Sequence, residues 1–123
     1  MVEQSSEIKT QNPDFLRLGE IRQFLDQINE RRKAGEELSD DEQCEVAMIG
    51  MENIGLKKKT GEIDHKQAKS GYLGWLTTLS TEYPAGYELM QQPAYDDKGK
   101  LVTDSFGKVI STFRHEMNKY LQG

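Results

Sequence analysis

Apolar residues recur at intervals of three and four along most of this chain, and this spacing restricts the fold more than any other feature. Side chains at these intervals share one face of an α-helix, because the helix turns once every 3.6 residues or so. Asn12-Pro13-Asp14 supplies a helix start, with Asn12 as the N-cap and Pro13 at the first helical position. The apolar stripe that follows is Leu18, Ile21, Phe24, Leu25 and Ile28. We therefore expect a first helix over residues 13–34.

The second helix has the clearest start signal in the chain. Ser39-Asp40-Asp41-Glu42 matches a capping box, in which Ser39 and Glu42 each satisfy the other's free backbone N–H. Its apolar face contains Cys44, Ala47, Met48 and Met51. We expect Gly50 and Gly55 to bracket the end of this helix and Leu56–Gly61 to form a basic connector. The short link over residues 35–38 predicts that the first two helices form an antiparallel hairpin.

The second half of the chain is interrupted. Helical spacing predicts a third helix over residues 64–80, and a last helix that Asp104 or Ser105 caps. Between them, Pro84, Gly86, Pro93 and Gly99 indicate turns. Residues 87–90 and 100–103 fit two short hairpin strands, and an ordered loop is the alternative. We expect a mainly α, single-domain bundle of about four helices, with an irregular or β-hairpin segment before the last helix.

Length and composition narrow the class of protein. A chain of 123 residues is the size of one domain, and we assign residues 1–11 to a flexible N-terminal tail and residues 12–123 to a single helical domain. There is no apolar run near 18 residues, and the polar, acidic N-terminus does not match a secretory signal. The single cysteine excludes an internal disulfide. These features predict a cytoplasmic protein that does not bind membranes.

Groups for catalysis are scarce. His115-Glu116 begins like a zinc-protease motif, but Lys119 stands where the second histidine is required. Cys44 falls on the apolar face of the second helix, which favours a small buried side chain over a reactive thiol. We expect no enzymatic activity, no cofactor and no metal site.

Charge is segregated along the chain. The net charge is −5, and residues 36–45 hold six carboxylates without a basic side chain. Such a run favours the positive end of a helix dipole, and it can also dock on a basic surface of a partner. These candidate partner-binding residues are Glu36, Glu37, Asp40, Asp41, Glu42 and Glu45.

Aromatic residues provide the second candidate surface. Tyr and Trp supply large contact areas and are enriched where proteins bind each other. The alternative is that these rings pack the Pro/Gly-rich segment onto the helices. The candidate residues are Trp75, Tyr83, Tyr87 and Tyr95.

The leading hypothesis is a non-enzymatic, acidic protein-binding module: a small regulator, inhibitor or assembly adaptor. It would present the acidic helix start and a Tyr/Trp-rich loop to another protein with a basic surface. The alternative is a single-stranded nucleic-acid binder that uses the lysines and rings of Lys57–Trp75. Net negative charge makes nucleic acid the less favoured partner, and apolar residues of the second helix leave a homodimer open.

Overall fold

The structure is a computed structural model that describes residues 12–121. These residues form a mainly α single domain with five helices: α1 (Pro13–Lys33), α2 (Asp40–Lys59), α3 (His65–Glu82), α4 (Pro84–Gln91) and α5 (Thr112–Leu121). The mainly α fold class is thus confirmed, with one helix more than expected. The tail assigned to residues 1–11 lies outside the described residues.

Helix starts follow the sequence signals closely. The side chain of Asn12 accepts a hydrogen bond from the Asp14 N–H at 2.9 Å. Ser39 with Glu42 forms the expected capping box on α2, and Asp64 forms a second one with Gln67 on α3. These caps satisfy N–H groups that have no partner within the helix, so they fix where each helix begins.

The prediction that α2 ends near Gly50 and Gly55 is wrong, because α2 continues through both glycines to Lys59. An added Cβ at Gly50 would collide with the Trp75 ring, and one at Gly55 with the Tyr120 ring. Both glycines are buried and admit aromatic rings against the helix backbone. Helix α2 therefore contacts all four other helices and forms the centre of the domain.

The core lies between α2 and the helices around it. Its most deeply buried large side chains come from four helices and are Tyr72, Ile21, Met51, Leu79, Met90 and Val46. Gly86 lets α4 lie directly against α2, because a Cβ there would come within 2.7 Å of the Gln43 carbonyl oxygen. The predicted strand over residues 87–90 is wrong, since these residues belong to α4.

Residues 92–111 link α4 to α5 without a regular element. The described residues contain no β-strand, so the irregular alternative is confirmed and the β-hairpin is not seen. Two tight turns are built alike: Asp96 accepts from the N–H groups of Lys98 and Lys100, and Asp104 accepts from those of Phe106 and Lys108. Each turn has a glycine with positive φ at its fourth position, 78° at Gly99 and 79° at Gly107.

A ring of three backbone hydrogen bonds closes this segment. The N–H of Ala94 donates to Ile110 O, the N–H of Ile110 to Val102 O, and the N–H of Val102 to Ala94 O, at 3.0, 3.2 and 2.9 Å. The three residues are eight apart, and the two turns repeat this spacing within residues 93–111. We call this segment the platform. The expectation that Asp104 or Ser105 caps the last helix is wrong, because both belong to the platform and α5 begins at Thr112.

Candidate functional site

The six carboxylates of the acidic run do not share one environment. Arg31, at the end of α1, donates hydrogen bonds to both Glu36 and Glu42. With the Ser39 backbone as the next contributor, Arg31 lowers the pKa of Glu42 to about 2. These two carboxylates are therefore neutralised within the chain and tie the α1–α2 connection together.

The other four carboxylates of the acidic run are not neutralised within the chain. Glu37, Asp40, Asp41 and Glu45 are exposed, and none makes a salt bridge to a residue in the described range 12–121. The structure adds exposed Glu88 of α4, which also lacks a salt bridge within that range. We call Asp40, Asp41, Glu45 and Glu88 the acidic face.

Cys44 shows how closely the two helices bring these carboxylates together. Its Sγ lies 3.5 Å from the Ala85 carbonyl oxygen, across the α2–α4 contact. Burial, and then the charges of Asp41, Asp40 and Glu88, raise the pKa of the half-buried thiol. A raised pKa disfavours the thiolate, which is the nucleophilic form of cysteine. Cys44 is therefore informative as a marker of the negative potential that these carboxylates create, and not as a nucleophile.

A groove of about 520 Å³ adjoins the acidic face. Met48 follows Glu45 by three residues, so the two lie on one face of α2. Leu89 of α4 also lines the groove, and exposed Glu88 precedes it in the chain. The floor and walls of the groove are largely apolar, with Glu116 and His115 of α5 at its edge. The apolar lining is Met48, Leu89, Pro93, Ala94 and Tyr95.

The predicted Tyr/Trp-rich loop is not formed as expected. Trp75 is a half-buried residue of α3 whose Nε1–H donates to the Ala47 carbonyl at 3.1 Å. Tyr83 is 4% exposed, and its ring lies 6.3 Å from that of Trp75 and 4.8 Å from the Arg32 guanidinium. Tyr87 lies half-buried against the core within α4. Of the four rings, Tyr95 alone is exposed, at 60%.

One of the two rings in the Lys57–Trp75 stretch is not accessible to a nucleic acid. Tyr72 is fully buried in the core, so no base can stack on it. Lys58 donates to the carbonyl oxygens of Tyr120 and Leu121 at the end of α5, and Lys59 lies 3.3 Å from Asp14. These lysines stabilise the contacts of α2 with α5 and α1.

Other kinds of site are not evident in the part of the chain that the structure describes. Among residues 12–121, no group of three or more His, Cys, Asp or Glu side chains is placed to hold a metal ion. Within the same range, no helix combines the length and the apolar character that a membrane crossing requires.

Comparison with known proteins gives no further guidance. A scan against protein-family models and searches of curated proteins and of solved structures find no match. The surface of the chain itself is therefore the basis for a functional interpretation.

Sequence reasoning missed Glu88, the groove and the exposed side chain of Phe106. Glu88 and the groove depend on how α4 packs on α2, which no local pattern in the sequence encodes. Phe106 falls within the last helix that the sequence predicts from Asp104 or Ser105 onward, whereas the structure places it in the platform. A usable signal did exist, because Asp96, Gly99 and Lys100 recur as Asp104, Gly107 and Lys108 at a spacing of eight.

Proposed function

We propose that this chain is a non-enzymatic protein-binding module, a small regulator, inhibitor or adaptor, that binds a basic amphipathic segment of another protein. The acidic face would meet lysine or arginine side chains, and the adjoining groove would take the apolar side chains of the same segment. The observation that carries this proposal is that α2 and α4 supply the acidic face and also, through Met48 and Leu89, part of the groove lining.

The physical argument rests on what each part contributes. Charge complementarity of the acidic face accelerates encounter and selects basic partners. Apolar contact in a groove supplies the larger share of the binding free energy, and methionine adapts its shape to different side chains. Helical segments that bind in this way place apolar residues at i, i+3, i+4 and i+7.

Selection from a random 16-residue peptide library displayed on phage tests the proposal, with the immobilised chain as bait. We expect enriched peptides to combine lysine or arginine with leucine, isoleucine or phenylalanine at helical spacing. Their binding should weaken as the salt concentration rises, since exposed charges are screened.

Two triple variants with equal charge changes give the decisive comparison. Asp41→Asn with Glu45→Gln and Glu88→Gln removes three charges of the acidic face. Asp26→Asn with Glu30→Gln and Glu62→Gln removes three exposed charges elsewhere. We expect the first variant to weaken peptide binding at least tenfold and the second to weaken it less than twofold. Equal effects, or enriched peptides without basic residues, would contradict the proposal.

A further inference from the structure

Exposed apolar side chains are concentrated on the platform. Six large hydrophobic residues within the described range are strongly exposed, and four of them lie between residues 95 and 109. Phe106 is the extreme case, at 87% exposure, and Tyr95, Leu101 and Val109 are exposed at 60%, 48% and 49%. Exposed apolar side chains concentrated in one segment often mark an interaction surface.

The two turns of the platform show that the fold does not require an aromatic residue at position 106. Lys98 and Phe106 occupy the same position in turns with the same hydrogen bonds and the same positive φ at the following glycine. Because the first turn forms with lysine there, Phe106 is not needed to make the second turn. Its exposed ring is therefore available to a binding partner.

The platform and the groove lie side by side and are chemically complementary. Tyr95 belongs to both, since it lines the groove and forms a bridge with Leu101 in the platform. Exposed Lys100 and Lys108 follow the glycines of the two turns, whereas the acidic face lies beside the groove. Glu116 in the groove lining is already paired with Lys119, at 3.8 Å. The platform thus carries exposed apolar side chains together with exposed Lys98, Lys100 and Lys108, with Asp97 as an exposed carboxylate beside them, next to an apolar groove and the acidic face.

We propose that two copies of this chain associate about a two-fold axis, each inserting Phe106 into the groove of the other. In a two-fold dimer both copies use the same surface, so that surface must carry both the inserted side chain and the groove that receives it. The adjoining platform and groove meet this requirement. Lys108 of each copy then lies against Glu88 of the other. The inference rests on the proposed function in taking the groove as a docking site, and it adds that a second copy of the chain occupies the groove until a partner's segment displaces it.

Sedimentation velocity of the full chain between about 1 and 200 µM tests the association. Phe106→Lys gives the second turn the residue that the first turn already has, so the fold should be kept. Leu73→Lys, which changes a leucine of α3 that is 54% exposed, is the matched control. We expect a dimer for the unchanged chain and for Leu73→Lys, and at least tenfold weaker dimerisation for Phe106→Lys. A monomeric unchanged chain, or equal behaviour of the two variants, overturns the proposal and leaves Phe106 to another protein or a lipid surface.

Two further measurements locate the contact. Glu88→Lys and Lys108→Glu should each weaken the dimer, and the chain that carries both changes should restore it. With p-benzoylphenylalanine at position 106, irradiation should link this position to the groove of the second copy, with Met48 as the expected acceptor. Links between two platforms, or a dimer insensitive to Glu88→Lys, overturn the proposed geometry.

The experiments distinguish a failure of the self-association proposal from a failure of the proposed function. A monomeric chain that still selects basic amphipathic peptides refutes self-association and leaves the proposed function standing. A dimer that Phe106→Lys disrupts, but that selects no peptide, supports self-association and contradicts the proposed function.

Discussion

The helical body, formed by α1 to α5, and the platform are stabilised in different ways. The body depends on close side-chain packing around α2, where glycines admit the rings of Trp75 and Tyr120. The platform depends on three backbone hydrogen bonds and on two aspartates that close its turns. The packed residues of the body therefore tolerate little change in size. The outward-facing side chains of the platform are not needed for its fold, so they can serve in binding.

The largest expected effect is in the body, at Gly86. In Gly86→Ala the new Cβ would lie 2.7 Å from the Gln43 carbonyl oxygen and 2.9 Å from the Ala47 Cβ, which forces α4 away from α2. Overpacking of this kind costs about 1–3 kcal/mol. Urea denaturation should show this loss in the free energy of unfolding.

Gly74→Ala is the control for Gly86→Ala. Gly74 also lies in a helix interior, but an added Cβ there meets nothing within 4 Å. We expect it to stabilise the chain by about 0.5–1 kcal/mol, because alanine loses less entropy in a helix than glycine. If the free energy of unfolding changes in the same direction in Gly74→Ala and Gly86→Ala, the close approach of α4 to α2 is contradicted.

The next effect is in the platform, at Gly107. With φ at 79°, Gly107→Ala places a Cβ in the left-handed region, which costs about 1–2 kcal/mol. We expect faster hydrogen exchange at the N–H groups of Ala94, Val102 and Ile110, which form the ring. A fall in global stability as large as that of Gly86→Ala would show that platform and body unfold as one unit.

The starts of α1, α2 and α3 were predictable from the sequence because their capping is local. Asn12, Ser39 and Asp64 each bond to a backbone group two or three residues away, so the pattern is visible in a short stretch. The end of α2 was not predictable in the same way. Gly50 is expected to weaken a helix, and the Trp75 ring that occupies its open face comes from another helix.

The candidate site was also predictable only where it depends on residues that are close together in the chain. The sequence indicated the exposed carboxylates Asp40, Asp41 and Glu45, because they lie together in the chain. It did not show that Arg31 neutralises Glu36 and Glu42, or that Tyr83 is buried, because both depend on how α1 packs. Part of the platform, residues 104–111, was predicted as helix because Phe106, Val109 and Ile110 also fall at helical spacing.

A smaller effect concerns polar groups inside the body. The hydroxyl of Tyr72 is buried without a hydrogen-bond partner among the described residues, whereas that of Tyr83 accepts from Arg32 at 3.2 Å. We expect Tyr72→Phe to be neutral or to stabilise the chain by up to about 1 kcal/mol, and Tyr83→Phe to destabilise it by about 0.5–1.5 kcal/mol. Thermal and urea denaturation of the two variants, compared side by side, measure the difference. If Tyr72→Phe is the more damaging of the two, its hydroxyl has a partner within the body.

The smallest effect is electrostatic and lies at the edge of the body, where α1 meets α2. The hydrogen bond from Arg31, helped by the Ser39 backbone, lowers the pKa of Glu42 from 4.5 to about 2. Because the pKa is lower in the folded state, this contribution is fully present above about pH 4.5 and disappears as the pH falls towards 2. The urea midpoints of the unchanged chain and Glu42→Gln should differ at pH 6, and this difference should be much smaller at pH 2.5 and vanish as the pH falls through 2. Asp97→Asn, which removes an exposed carboxylate of the platform, controls for the general effect of charge. If the urea midpoints of the unchanged chain and Glu42→Gln differ as much at pH 2.5 as at pH 6, the Glu42 side chain stabilises the fold through the helix cap and not through Arg31.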